Sequence, residues 1–213
     1  MGQLIEVASS KRFPSEERLL LREFAHRISN EFASAISVIS LAAARSANDE
    51  VKIALAAAQD RLQNYAQVHQ ALRIPEHGSL IDASSYLRQL CRAISRSRLD
   101  VKSIELVLVD RPLRMNSDRC WRLGMIVSEL ITNAARHAFR ESGGVIRVDL
   151  RPSQSFVECR VTDNGTAAAN IHPGHGLGIV EALAKGLDGK IDQHFGPQGA
   201  ATVVIFPVGS EAS

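Results

Sequence analysis

Four side chains that suit a metal-bound polyphosphate lie within one short stretch of the chain. Glu129, Asn133, Arg136 and His137 are three or four residues apart, which places them on one face if the stretch is helical. Asparagine offers Mg²⁺ a neutral oxygen ligand, arginine and histidine can bind phosphate oxygens, and glutamate can orient a water or accept a proton. The alternative is a solvated helix face with charge pairs, so the interpretation depends on partners elsewhere in the chain.

Three later features could complete such a site. Residues 163–165 read Asp-Asn-Gly at a predicted strand end, where the carboxylate of Asp163 could accept the exocyclic amine of adenine. Gly176 and Gly178 open a predicted helix, where backbone amides and the helix N-terminus favour an anion. A glycine turn feeds the last strand, 199–207. Each feature alone is weak, because plain turns and flexible loops have the same composition.

A further candidate for chemistry, a histidine, lies near the N-terminus. The spacing of apolar residues predicts a long helix, and His26 lies about 200° around its wheel from Phe24 and Ile28. His26 therefore points away from the apolar stripe, and Asn30 lies one turn further along. A lone surface histidine is more often a solvated residue, so this hypothesis also needs the rest of the chain.

The elements that must position these residues divide into two parts. Two amphipathic helices joined near residues 47–49 predict a helical hairpin, which a second copy would complete as a four-helix bundle. The best boundary is 75–78, Pro-Glu-His-Gly. We therefore predict a lead-in at 1–17, a helical hairpin at 18–77 and a second domain at 78–213.

The pattern of apolar residues in the second part of the chain predicts an α+β fold. Its pattern indicates a helix over 84–95, a helix capped by Asp118 that carries the polar face, an antiparallel hairpin over 145–161, and a final helix and two strands. The predicted architecture is an α/β sandwich with one mixed sheet covered on one face by helices.

Composition excludes several classes. The 213 residues carry a net charge of +2 without a basic block, so nucleic acid is a poor candidate partner. The three cysteines are scattered, which argues against a disulfide framework and fits core or neutral surface positions in a reducing cytoplasm. No apolar run approaches the ~20 residues of a membrane span, and no signal peptide is predicted. A signal would reach the chain through a partner such as a separate sensor protein, or through the N-terminal segment.

The order of these motifs resembles the bacterial two-component sensor histidine kinases, within the wider ATPase group of gyrase, the heat-shock-ninety chaperones and the mismatch-repair ATPases. The matching segments are an N box at 129–139 (Glu-Leu-Ile-Thr-Asn-Ala-Ala-Arg-His-Ala-Phe), a first glycine box at 161–165 (Val-Thr-Asp-Asn-Gly) and a second at 176–183 (Gly-Leu-Gly-Ile-Val-Glu-Ala-Leu). The segment 22–30 is similar to the phosphoacceptor motif of the His-Arg-x-x-Asn subfamily, and 67–72 to the end of its second helix.

This resemblance implies roles for individual residues. His26 would be the phosphoacceptor with Asn30 beside it, and Asn133 would bind Mg²⁺. The adenine would contact Asp163, and the boxes would hold ATP. The remaining residues implied in nucleotide binding or catalysis are Glu129, Arg136, His137, Gly165, Gly176 and Gly178. The implied partners are the receiver domain of a response regulator and a second copy of the chain.

We therefore expect an ATP-dependent protein histidine kinase that autophosphorylates His26 and passes the phosphoryl group to an aspartate of a response regulator. The alternative is a histidine phosphotransfer protein of kinase-like fold that relays phosphate without ATP. Ala167 motivates it, because the first glycine box usually has a second glycine there. The short segment 166–174, which corresponds to the family's lid, motivates it too. A serine kinase of the anti-sigma type is a third class, but such proteins lack the hairpin.

Overall fold

A computed structural model of the chain describes residues 15–73, 78–139, 143–166, 175–196 and 198–209. Five α-helices and seven strands lie in this part of the chain. In order they are α1 (Ser15–Arg45), α2 (Asp49–Ala71), β1 (Leu80–Asp82), α3 (Ala83–Ile94), β2 (Ile104–Asp110), β3 (Arg114–Asn116), α4 (Ser117–His137), β4 (Gly144–Pro152), β5 (Phe156–Asp163), α5 (His175–Lys185), β6 (Lys190–Gly196) and β7 (Gly199–Pro207).

The first two helices form the predicted hairpin. Asn48 ends the connection and caps α2, because its side-chain Oδ1 accepts hydrogen bonds from the backbone N–H groups of Glu50 (2.8 Å) and Val51 (3.4 Å). The apolar stripe of α1 is not buried within one chain. Leu20 is 63% exposed and Phe24 is 62% exposed. The stripe therefore remains available to another surface.

The part of the chain after the hairpin contains a five-stranded sheet in the order β2-β4-β5-β7-β6. Strands β2 and β4 are parallel, and every other neighbouring pair is antiparallel, which confirms the predicted mixed sheet. The sequence indicates a short strand at 113–116, which matches β3, but neither β1 nor the second sheet that β1 and β3 form was predicted. Each of these strands has only three residues, which is too short to show an alternating pattern.

Helices α3, α4 and α5 cover one face of the large sheet and bury the core. Alternation along β5 places Val157, Cys159 and Val161 on the covered face. All three cysteines are free, as the sequence predicts, and all three are buried. The largest fully buried side chains are Leu87, Leu90, Ile94, Leu99, Leu123, Ile126, Val127, Ile131, Ile146, Leu150, Leu187 and Phe206.

The opposite face of the sheet carries a charge network centred on Asp149. Its side chain is only 4% exposed, and it pairs with Arg147 (Nε to Oδ2, 2.8 Å) and Arg151 (Nη2 to Oδ1, 3.2 Å) on the same strand. The hydrogen bond from Arg147 is the main reason why the pKa of Asp149 is held below its ordinary value. A carboxylate that is buried on this face is thus kept ionised by its two neighbours.

The second helix of the hairpin packs on the part of the chain that contains the sheet. Val68 of α2 is buried in the same apolar cluster as α3 and α4. The guanidinium of Arg98 lies 5.7 Å from the centre of the Tyr65 ring, and Asn64 Nδ2 donates to the carbonyl oxygen of Arg96 (3.4 Å). The predicted boundary at 75–78 falls largely on residues outside the described ranges, and the division into domains stays a prediction.

Candidate functional site

Helix α4 positions the polar face on which the site was predicted. Its N-cap is Asn116, whose Oδ1 accepts from the backbone N–H of Asp118 (3.0 Å). The prediction that Asp118 caps this helix is therefore wrong. The helix begins at Ser117, and Asp118 lies in the first turn. There its carboxylate still opposes the positive end of the helix dipole.

The face itself is open to a ligand. Glu129 and Asn133 are partly exposed, while Arg136 and His137 are exposed. Their neighbours on the opposite side of α4 are buried against the sheet, which fixes the direction of the polar face. Within the described ranges, none of these four side chains makes a hydrogen bond or ion pair, so their polar atoms are available to a ligand.

Asp163 at the end of β5 is arranged as an acceptor. Its Oδ1 receives hydrogen bonds from the backbone N–H groups of Gly165 (3.0 Å) and Ala200 (3.3 Å). Burial raises the pKa of this carboxyl, and the two amides partly oppose that rise. In the part of the chain that the structure describes, Oδ2 accepts no hydrogen bond. A half-buried carboxylate oxygen without a donor fits the exocyclic amine of adenine.

Two glycines hold Asp163 in this position. A Cβ on Gly165 would collide with the Ala138 carbonyl just after α4, which explains the glycine as a close contact between β5 and α4. Gly199 has a φ of +123°, and a Cβ there would collide with the carbonyl oxygen of Asp163. The turn before β7 therefore needs glycine for both its backbone angle and its packing.

The second glycine box behaves differently. Gly178 lies in α5, and a Cβ placed there would meet no atom within 4 Å. Nothing in the described part of the protein itself demands glycine at this position, so the open space suits a bound group. Gly176 also lies within α5, but its surroundings are outside what the structure describes. Ala167 and the rest of the predicted lid after Thr166 likewise fall outside the described ranges.

Taken together, these residues fit Mg²⁺ and ATP. Asp163 offers an acceptor for adenine, the space at Gly178 leaves room for the nucleotide, and Asn133 offers an oxygen to Mg²⁺. A magnesium ion bound with nucleotide typically takes one or two protein ligands and completes its shell with phosphates and waters. The arginine and histidine at the end of α4 add positively polarised donors for phosphate oxygens.

The candidate phosphoacceptor has a defined neighbour. His26 is exposed on α1, as its helical position predicts, and its Nε2 lies 2.8 Å from Nη2 of Arg73. Arg73 follows the end of α2 and is 47 residues away in sequence. Asn30 is exposed one turn beyond His26. No described hydrogen bond joins Asn30 to His26, so the predicted support from Asn30 stays a prediction.

A second histidine lies in the same region, but its environment is apolar. The ring of His69 lies 6.1 Å from that of Phe32, tilted by 56°. Burial and, to a smaller extent, the charge of Arg73 lower the pKa of His69. The contact with Phe32 and the burial indicate a packed structural role for His69.

The structure does not bring the two halves of the predicted site together. Among the described residues, no hydrogen bond or ion pair joins His26 or Asn30 to Glu129, Asn133 or Asp163. The hairpin is instead tied to the other end of α4, where Nε1 of Trp121 donates to the carbonyl oxygen of Leu72 (2.8 Å).

Sequence reasoning missed two contributors to the site. Arg73 gives no signal in the sequence, because its contact with His26 exists only once the hairpin closes. The backbone N–H of Ala200 was also missed, because backbone donors are independent of residue type. The glycine turn before Ala200 was visible in the sequence, but the hydrogen bond to Asp163 was not.

Comparison with family models agrees with this geometry. Residues 23–98 match a model described as histidine kinase, and residues 87–206 match one described as histidine kinase-like ATPase domain. The second match alone spans more than half of the chain. The chain belongs to the family of histidine kinase-like ATPase domains. The narrower His-Arg-x-x-Asn subfamily remains a prediction.

Named relatives of this kinase-like chain are considerably longer. Sensor histidine kinase PdtaS of Mycolicibacterium smegmatis is 30% identical over 207 residues, which cover 89% of this chain and 40% of that protein. Blue-light-activated histidine kinase 2 of Erythrobacter litoralis is 27% identical over 205 residues, or 90% of this chain and 58% of that protein. The chain thus spans about 40% to 58% of the length of these relatives.

A solved histidine kinase domain shares the fold of this chain over most of the length of both. The histidine kinase domain of a blue-light-activated kinase from Erythrobacter litoralis superposes with a TM-score of 0.60 at 20% identity, over 84% of this chain and 96% of that one. At that identity the likeness shows the fold alone. None of the described helices is both long and apolar enough to cross a membrane.

Proposed function

We propose that this chain is the core of a two-component histidine kinase of the His-Arg-x-x-Asn type. It transfers the γ-phosphoryl group of Mg²⁺-ATP to His26 and then to an aspartate on a receiver domain. The observation that carries the proposal is the half-buried carboxylate of Asp163, which two backbone amides hold through one oxygen while the other stays available. An available carboxylate oxygen at this strand end supports recognition of the exocyclic amine of adenine.

Each residue of the proposed nucleotide site has a separate role. Asp163 accepts the adenine amine, and Asn133 contributes an oxygen to Mg²⁺. Arg136 and His137 donate to phosphate oxygens, and Gly178 leaves the space in which the nucleotide lies. When bound, Mg²⁺ supplies neutralisation of the charge that develops on the transferring group. These residues therefore position and stabilise the reacting group.

His26 acts as the nucleophile. A ring nitrogen that carries a lone pair attacks the γ-phosphorus in line with the leaving oxygen. Exposure of His26 on α1 allows both the incoming nucleotide and, later, a receiver aspartate to reach the ring. Glu129 is partly exposed beside the magnesium ligand and is placed to orient a water or accept a proton.

The partners follow from exposed surfaces on the hairpin. The uncovered apolar stripe of α1, with Leu20 and Phe24 more than half exposed, supports a second copy that completes a four-helix bundle. The exposed ring of His26 supports a receiver domain as the phosphoryl acceptor. Input from a separate sensor protein remains a hypothesis.

The direct test is incubation of purified protein with γ-labelled Mg²⁺-ATP. The wild type is expected to acquire an acid-labile label. His26→Ala should abolish it, Asn133→Ala should strongly reduce it, and His194→Ala is the matched control, because that histidine is exposed on β6. Label that persists in His26→Ala, or activity that survives Asn133→Ala unchanged, would refute the assignment of acceptor and metal ligand.

A histidine phosphotransfer protein that does not use ATP is the second candidate. A bacterial phosphotransferase superposes with a TM-score of 0.61 at 14% identity, over 92% of this chain and 100% of that one. Ala167 in the first glycine box also favours this reading. A relay would accept phosphate from a phosphorylated receiver and would show no heat of binding with Mg²⁺-ATP. Measurable nucleotide binding would eliminate this candidate.

A further inference from the structure

Arg73 makes a contact that has consequences for the chemistry of His26. Its Nη2 lies 2.8 Å from Nε2 of the imidazole. Arginine has only donors and stays protonated in proteins, so Nε2 must be the acceptor. A neutral imidazole that accepts at Nε2 carries its proton on Nδ1. The contact thus places a lone pair on Nε2, which is the form that a nucleophilic attack by this nitrogen requires.

The position of Arg73 is fixed by the turn that ends α2. Its backbone N–H donates to the carbonyl oxygen of Gln70 (3.2 Å). Leu72, the residue before it, donates to the carbonyl oxygen of Val68 (3.0 Å) and accepts the indole hydrogen bond of Trp121 (2.8 Å). Hydrogen bonds from α2 and from Trp121 of α4 thus fix the backbone here. The Arg73 side chain therefore extends toward His26 from a fixed position.

The surroundings of Arg73 supply few competing acceptors. Its side chain lines a cavity of about 230 Å³ between α1 and α2, together with Ser29, Phe32, Ala33, Ile36, Ala66 and Gln70. None of these residues carries a carboxylate. Among the described residues, no ion pair joins Arg73 to an acidic side chain. The guanidinium is therefore positioned for an anion that arrives at His26.

We propose that Arg73 is a positioning residue for phosphoryl transfer at His26. It selects the tautomer that carries the lone pair on Nε2, and it then binds the oxygens of the phosphoryl group once that group is attached. This inference rests on the proposed use of His26 as phosphoacceptor, but it does not depend on ATP as the phosphoryl source.

Phosphoryl transfer to His26 forms one bond to phosphorus and breaks another. The lone pair of Nε2 forms the bond to phosphorus, the bond from phosphorus to the bridging oxygen breaks, and its electron pair leaves with ADP. The proton on Nδ1 passes to water, to which the ring is exposed. Nε2 then has no free lone pair, so the guanidinium loses its acceptor there and donates to the new phosphoryl oxygens. Guanidinium and phosphate form strong, often two-pronged hydrogen bonds.

The test uses phosphoramidate, which phosphorylates histidine without ATP. The full chain is compared with Arg73→Ala, Arg73→Lys and the control Arg61→Ala, which removes an exposed arginine three turns earlier on α2. Nitrogen-15 NMR of the imidazole reports the tautomer of His26. The lifetime of the phosphohistidine at neutral pH reports the later contact.

The expected results separate the two roles. Wild type and Arg61→Ala should show Nε2 of His26 unprotonated, whereas Arg73→Ala should shift the ring toward the Nε2–H form that imidazoles prefer in water. The phosphohistidine should decay about tenfold faster in Arg73→Ala, which corresponds to the loss of one charge-assisted hydrogen bond. Arg73→Lys should restore part of that lifetime through its charge.

An unchanged tautomer together with a lifetime within twofold of Arg61→Ala would overturn the proposal. If Arg73→Ala does not fold, judged by circular dichroism, Arg73→Leu, which keeps apolar bulk but has no donor, takes its place with the same expected results. Failure of the wild type to label with ATP, while the phosphoramidate product still depends on Arg73, would refute the kinase activity and leave this inference standing.

Discussion

Replacing Asp163 by asparagine should weaken adenine recognition while leaving the fold intact. Its Oδ1 accepts two backbone N–H groups, at 3.0 Å and 3.3 Å. In Asp163→Asn the amide oxygen takes over these two bonds, because an NH₂ group there would face two donors. The NH₂ group is then directed to the position of Oδ2, where it meets the amine of adenine. A donor thus faces a donor at the one point where the carboxylate would have accepted.

The magnitude follows from this geometry. A hydrogen bond to a charged acceptor contributes about 1.5–3 kcal/mol, and 1.4 kcal/mol corresponds to tenfold in affinity, so binding of Mg²⁺-ATP should weaken by about 10- to 100-fold. Guanine carries a carbonyl oxygen where adenine carries its amine. The variant should therefore lose its preference for ATP over GTP. Folding should be unchanged or slightly stabilised, because burial raises the pKa of Asp163 and the neutral amide avoids that cost.

The assay is isothermal calorimetry with ATP and GTP analogues in the presence of Mg²⁺, accompanied by urea unfolding. Asp192→Asn serves as the matched control, because it removes an exposed carboxylate from β6 of the same domain. Asp163→Asn binding ATP within twofold of the control, or an unchanged preference for ATP over GTP, would refute the assignment of Asp163 as the adenine acceptor.

Three further predictions follow from particular contacts. Gly178→Ala should leave urea stability unchanged or raise it by up to about 1 kcal/mol, yet weaken nucleotide binding in calorimetry, whereas Gly199→Ala should lower both stability and binding because its φ is +123°. Asp149→Asn should cost about 1–2 kcal/mol at pH 7. Since the folded pKa of Asp149 is lowered, that contribution is present above pH ~4 and lost as the pH falls through the folded pKa, so urea curves of wild type and variant should converge in acid. Trp121→Phe should remove about 1 kcal/mol by deleting the indole donor to Leu72, with faster amide exchange at the end of α2 as the readout.

The sequence predicts the architecture well because long periodic elements dominate it. The stripe of α4 recurs at helical spacing, and β4 and β5 alternate, so both the helix and the mixed sheet could be predicted. The three-residue strands β1 and β3 carry no such signal. The start of α4 was misassigned because Asn116 and Asp118 are both good N-cap residues, and only the backbone shows which one accepts.

The candidate site was predictable where a single element carries it and not where two elements meet. Asp163 could be proposed from its motif, but its second amide donor comes from Ala200 on another strand. His26 could be placed on the exposed face of α1, but its neighbour Arg73 arrives through closure of the hairpin. Tertiary contacts of this kind depend on the exact crossing of elements, which local patterns do not encode.

The described arrangement separates the candidate phosphoacceptor from the candidate magnesium ligand. The end of α2 is held to α4 at Trp121, and Arg73 next to it contacts His26. Asn133 lies twelve residues further along α4, which at 1.5 Å per residue is about 18 Å along the helix axis. Transfer from a nucleotide at Asn133 to His26 of the same chain would therefore require the contact between α2 and α4 to rearrange. That rearrangement breaks the hydrogen bond from Trp121 to Leu72 and exposes Val68, so it carries a cost in both hydrogen bonding and apolar burial.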